Sequence, residues 1–142
     1  MKIAIGSDHA GFKYKNMISM HLRQQGYAIV DMGTDSVEAC DYPDFIKQVT
    51  AKVASGDCEL GIVLGGSGNG EAITANKTHG IRCALCWDEY TAQLCKEHNN
   101  ANMISIGERT VSAKLALKIV DIWLSAKFAG GRHLRRINKI EL

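Results

Sequence analysis

Glu71 is the side chain around which chemistry can be arranged in this sequence. It follows directly on Gly65-Gly66-Ser67-Gly68-Asn69-Gly70, and an apolar run, Leu60 with Ile62, Val63 and Leu64, leads into those glycines. Strand, glycine loop and helix start in that order aim several backbone N–H groups and the positive end of a helix at one point. A negative charge, or one that develops during a reaction, is held there. A carboxylate beside such a cradle suits proton abstraction α to a carbonyl, the acid taking the proton while the amides hold the enediolate oxygen. The plainer readings are a flexible turn and a first-turn glutamate favoured by the helix dipole, although four glycines exceed what a turn requires. The dipole lowers the Glu71 pKa and burial raises it, and the sequence leaves that balance open.

Other candidates lie near the ends of the predicted elements. Asp8 and His9 follow the first strand; Asp8 reads equally well as a helix cap, and His9 can donate to a phosphate or move protons. His98-Asn99-Asn100 lies between the fourth helix and the fifth strand, where asparagines in left-handed conformations are at home. Arg109 stands two residues beyond the fifth strand, where a solvated surface charge is the ordinary reading. Arg132 and Arg136 are four apart on the last helix, with His133 and Arg135 beside them. They share a face that either clamps one phosphate bidentately or forms a solvated basic tail.

These residues need a scaffold, and strands alternate with helices five times. Lys2–Gly6, Tyr27–Asp31, the Leu60–Leu64 run, Ile81–Cys86 and Met103–Gly107 are predicted strands. Helices are predicted over Phe12–Gln25, from Pro43 through Ser55, after Glu71, from Asp88 to about His98, from Ser112 to about Phe128, and over Arg132–Glu141. Connections of this length imply a parallel sheet with helices on both faces, an α/β/α sandwich in one domain spanning residues 1–142. The first strand is expected at an edge of the sheet. A site is expected at the carboxyl ends of the strands, the rim that carries Asp8-His9, the glycine loop, the Trp87 turn and Arg109.

Composition narrows the function. A net charge of +2 and a basic tail without aromatic residues argue against nucleic acid, and no apolar run is long enough to span a membrane. Five cysteines, an odd number in apolar contexts, read as free thiols of a reducing cytoplasm. Cys83 and Cys86 lie three apart on a predicted strand, so their sulfurs face opposite sides and make no metal pair. The glycines match neither G-x-G-x-x-G nor a Walker A loop, since Glu71 follows Gly70 where lysine is needed. A non-catalytic nucleotide-binding module of flavodoxin-like fold would use the same rim, but it gives no role to Glu71, which repels a polyphosphate.

MKIAIGSDHAGF, DYPDF, GGSGNGEAITANK, GIRCAL, EHNNANMISIGER and GGRHLRRI together resemble the ribose-5-phosphate isomerase B family of RpiB/LacAB sugar-phosphate isomerases, from the first residue nearly to the last. The resemblance implies a Rossmann-like five-stranded fold and interconversion of ribose 5-phosphate and ribulose 5-phosphate in the pentose phosphate pathway. It implies no metal or organic cofactor, and homodimers, sometimes paired into tetramers, whose sites draw on both subunits. By position, Glu71 is the implied base, and Gly66, Ser67, Gly68, Asn69 and Gly70 the anion hole. Asp8 and His98 open the furanose ring, His98 as proton donor, and Asn99 binds the sugar. His9, Arg109, Arg132 and Arg136 hold the phosphate. Many members carry a catalytic cysteine where this chain has Gly65. The branch implied here uses the glutamate six residues later, and none of its cysteines is essential. The galactose- and allose-6-phosphate isomerases share the scaffold, so a six-carbon sugar phosphate is the alternative substrate.

Overall fold

The computed structural model describes residues 1–141. Five parallel strands, β1 (Lys2–Ser7), β2 (Ala28–Asp31), β3 (Leu60–Gly65), β4 (Cys83–Leu85) and β5 (Met103–Gly107), form one sheet in the order β2-β1-β3-β5-β4. Six helices accompany them: α1 (Phe12–Gln24), α2 (Tyr42–Ala54), α3 (Asn69–Ala75), α4 (Glu89–Glu97), α5 (Ala113–Ser125) and α6 (Arg132–Ile140).

Side-chain alternation along the strands divides the core in two. Ile3, Ile5, Ile62, Leu64, Ile104 and Ile106 face α1, α4 and α5, with Trp123 buried among them. Ala4, Val63, Cys83 and Met103 face α2 and α3. The three-layer α/β/α architecture expected from the sequence is therefore present. Cys83 and Cys86 belong to opposite cores, as their spacing requires.

The expected place of the first strand is corrected. β1 lies inside the sheet, pairing with β2 on one side and β3 on the other. Its residues from Ile3 to Ser7 are fully buried, whereas β2 is half exposed and forms that edge. The buried Lys15 of α1 holds the edge in place, its Nζ 2.6 Å from Asp31 Oδ2. The fourth strand is shorter than the predicted Ile81–Cys86, because neighbouring side chains take its end groups. The Arg82 N–H donates to Asn102 Oδ1 at 2.9 Å, and the Asn76 side-chain amide exchanges two 2.8 Å hydrogen bonds with the Cys83 backbone. α5 stops at Ser125 rather than near Phe128; Ala126 is extended, and the Ala129 N–H donates to the Glu97 carbonyl at 2.9 Å.

Candidate active site

β3 leaves the sheet at Gly65, on the face that α3 covers. Glu71, in the first turn of α3, is only 3 % exposed and presses its carboxyl group onto Gly65. A Cβ added to Gly65 would overlap the Glu71 carboxyl carbon and both its oxygens. Gly68 takes a left-handed conformation at φ 80°, which favours glycine. A Cβ there would stand 2.8 Å from Leu85 Cδ1 and 3.0 Å from Ser105 Oγ. Ser105 Oγ donates to the Gly68 carbonyl at 2.7 Å. Glu108 N–H donates to the Gly65 carbonyl at 2.8 Å and Arg109 N–H to Gly66 at 3.0 Å, tying the loop after β5 to the glycine loop. Ser67 Oγ accepts from Asn69 N–H at 3.2 Å, which leaves its hydroxyl hydrogen free to donate. Among the described residues, the N–H groups of Ser67, Gly68 and Gly70 have no hydrogen-bond acceptor.

Burial pushes the Glu71 carboxyl above the usual carboxylate range; its own backbone N–H opposes this, and the Asp8 charge adds to the rise. The contest between dipole and burial is thus won by burial. Asp8 is both cap and neighbour. Its Oδ1 accepts from Ala10 N–H at 2.9 Å and Gly11 N–H at 3.1 Å, opening a short 3-10 turn at His9–Gly11. Gly11 packs so tightly on the backbone at Leu64–Gly65 that a Cβ would stand 2.6 Å away, so the cap is locked to the end of β3. His9 Nδ1 accepts the Cys40 N–H at 3.2 Å, which puts the ring hydrogen on Nε2, free for a ligand. The exposed Arg109 guanidinium lies against Gly66, with Nη1 3.1 Å from where a Cβ would stand.

The remaining candidates form a second cluster at the other end of the sheet. Helix α4 runs back from the carboxyl rim, so His98, at its C-terminus, lies by the start of β5. Met103 to Gly107 rise about 13 Å, and that length of strand separates the two clusters. The His98 and His133 rings stack with centroids 4.2 Å apart and planes 9° off parallel. Arg82 donates from Nε to the Asn99 carbonyl at 2.9 Å and from Nη2 to the Asn100 carbonyl at 3.0 Å. Asn100 alone of the two asparagines is left-handed, at φ 43°. Arg132 and Arg136 lie exposed in α6, and both act on the His133 charge. Within one chain, then, Glu71, Ser67, Gly66, Gly68, Asn69, Gly70, Asp8, His9 and Arg109 come together, and His98, Asn99, Arg132 and Arg136 do not join them.

Three residues at these clusters carry no role in the sequence reading. Tyr42 packs on the glycine loop, its ring and hydroxyl oxygen 2.5–2.8 Å from where a Gly70 Cβ would stand. The signal available was an aromatic residue directly before Pro43, in the first turn of α2. Trp87, 53 % exposed, lines a cavity of about 350 Å³ with Ser67, Asn69, Leu85 and Thr110. His133, 7 % exposed, faces inward from an otherwise exposed basic turn, with no signal beyond its four-residue spacing from buried Ile137. No group of three or more His, Cys, Asp or Glu side chains is gathered as metal ligands among the described residues.

Comparison with known proteins gives one answer. Residues 3–140 match the family model described as Ribose/Galactose Isomerase. Ribose-5-phosphate isomerase B of Mycolicibacterium paratuberculosis is 51 % identical over 141 residues, covering 97 % of this chain and 88 % of that protein. The Escherichia coli K12 protein of the same name is 45 % identical over 139 residues, covering 98 % and 93 %. The Clostridium thermocellum ribose-5-phosphate isomerase B structure superposes with a TM-score of 0.98 at 50 % identity, over 99 % of this chain and 95 % of that one. The Mycoplasma genitalium enzyme, solved with bound ribulose-5-phosphate, gives 0.95 at 44 % identity, over 99 % and 93 %. The chain belongs to the ribose/galactose isomerase family.

Proposed function

We propose that this chain interconverts D-ribose 5-phosphate and D-ribulose 5-phosphate through a cis-enediolate, with Glu71 as the base. The observation that carries this reading is the buried Glu71 carboxylate seated on Gly65 beside a loop in which the N–H groups of Ser67, Gly68 and Gly70 have no acceptor among the described residues. In the open-chain aldose Glu71 removes the proton from C2. The C2 electron pair forms the C1–C2 double bond, and the carbonyl pair moves onto O1. The Ser67 hydroxyl, oriented by the Asn69 N–H, and the amides of Gly66, Gly68 and Gly70 hold that oxygen as charge builds. The hydroxyl proton of O2 passes to O1, and Glu71 returns its proton to C1, leaving a ketone at C2. A carboxyl pKa raised above the usual range by burial strengthens the base. Asp8 and His98 open the furanose beforehand, Asn99 binds a sugar hydroxyl, and His9, Arg109, Arg132 and Arg136 hold the phosphate. A relative that binds ribulose-5-phosphate supports the pentose as substrate.

A second copy completes the site. Glu71 lies at the carboxyl ends of the strands and His98 at their amino ends. Two chains side by side and antiparallel, as a two-fold axis across the strands arranges them, bring each end against its complement. Trp87 and Tyr90 near edge strand β4, with Ile140 in α6, are exposed apolar side chains suited to such a contact. No helix among the described residues is long and apolar enough to cross a membrane, and the free thiols fit a reducing cytoplasm.

The test is incubation of the purified protein with ribose 5-phosphate, following ribulose 5-phosphate, with allose 6-phosphate and galactose 6-phosphate in parallel. Turnover of the pentose at the higher kcat/KM supports the reading. Faster turnover of either hexose transfers it to the six-carbon alternative, and no turnover overturns it.

A further inference from the structure

The ring of His98, the proton donor of the proposed reaction, is one that nothing hydrogen-bonds. Among the described residues, no group lies within hydrogen-bond reach of either of its ring nitrogens, so hydrogen bonding does not set the plane of the imidazole. We propose that His133 is the positioning residue for His98: stacked face to face on it, His133 fixes the plane in which the His98 imidazole meets the substrate.

The stack is built from both sides. On one side, His98 caps α4, its N–H donating to the Leu94 carbonyl at 2.8 Å. The loop beyond it is held by Arg82 on the Asn99 and Asn100 carbonyls and by Trp123 Nε1–H, which donates to the Ala101 carbonyl at 3.1 Å. On the other side, His133 is buried in the first turn of α6, one turn before buried Ile137. The approach to α6 is fastened to the end of α4 through Ala129 N–H and the Glu97 carbonyl. The two rings, 4.2 Å apart and 9° off parallel, therefore belong to backbones that are fixed relative to each other. One face of His98 is covered by the His133 ring, and the residue stays partly exposed.

The same arrangement disfavours a positive charge on His133. Burial, the His98 charge and the guanidinium groups of Arg132 and Arg136 all push His133 below the ordinary histidine range. The other charges on the elements packed here are Glu89, Lys96 and Glu97 on α4, Arg135 and Lys139 on α6, and Arg82, paired with Glu141.

This inference rests on the reading of His98 as the ring-opening proton donor, and the experiment separates the two. His133→Ala is expected to lower kcat for ribose 5-phosphate about tenfold or more, leave KM within about twofold and move the pH profile of kcat. His133→Phe, which keeps a flat ring and no nitrogen, is expected to restore most of that loss. In a His98→Asn background, His133→Ala is expected to have no further effect. If His98→Asn alone leaves turnover of ribose 5-phosphate intact, the His98 reading fails and this inference with it. If His98→Asn abolishes turnover but His133→Ala changes neither kcat nor the pH profile, the positioning role alone is overturned. An equal loss from His133→Ala in both backgrounds also overturns it, because it marks a merely structural residue.

Discussion

The Glu71 carboxylate fills the space that a side chain on Gly65 would need. A Cβ on Gly65 overlaps the carboxyl carbon and both oxygens, so a side chain at position 65 and a seated glutamate at position 71 exclude each other. Gly65→Ala is therefore expected to swing Glu71 off the loop and lower kcat about 100-fold, as misplacement of a catalytic base does. Circular dichroism should show the fold retained. Wild-type kcat in this variant would contradict the seating described here.

The raised Glu71 pKa has two consequences of opposite sign. As the proposed base, Glu71 must be ionised, so kcat/KM is expected to rise with pH along a limb above the usual carboxylate range. For stability, a carboxyl whose folded pKa exceeds its unfolded value binds more protons in the native state. Stability is then fully present below the unfolded pKa and is lost as pH rises through the folded one. Glu71→Gln removes that loss. Thermal melts well above the usual carboxylate range should show the variant with the higher Tm, and the gap should close as pH falls into that range.

Arg132 and Arg136 lie one turn apart on α6, exposed and free to meet a phosphate. Arg132→Ala or Arg136→Ala is expected to raise KM for ribose 5-phosphate about 10- to 100-fold, the range of one charge-assisted contact, with a smaller change in kcat. Steady-state kinetics decide this, and an unchanged KM in both variants would remove the phosphate clamp.

The two clusters at opposite ends of the sheet give a further test. Glu71→Gln and His98→Asn are each expected to keep only a small residual activity alone. After mixing, unfolding and refolding together, a mixed pair of chains has one site with both residues intact. Recovery of about a quarter of wild-type activity, the statistical yield for a two-fold dimer, is expected; no recovery would place Glu71 and His98 in one chain's site.

Much of this was legible in the sequence because it depends on local rules. The run ending at Leu64 is apolar on both faces, so β3 had to be central, and four glycines between it and Glu71 needed a reason that the seated carboxyl supplies. Cys83 and Cys86 were assigned to opposite cores by the period of a strand. What was not legible depends on strand order and on contacts distant in the chain. Nothing local to Lys2–Ser7 states that β2 takes the edge. His98 follows a helix whose direction fixes it at the far end of the sheet, which becomes apparent only with the parallel topology. Tyr42 on Gly70 and His133 on His98 join residues about thirty apart, without any spacing rule to announce them.

The most direct measurement pairs turnover with binding in Glu71→Gln. The amide keeps the shape of the side chain on Gly65 and removes its basicity. The variant is expected to bind ribose 5-phosphate with a Kd near the wild-type value by calorimetry, while kcat falls at least about 1000-fold. Isomerisation at the wild-type rate by this variant would show that the proton at C2 goes elsewhere.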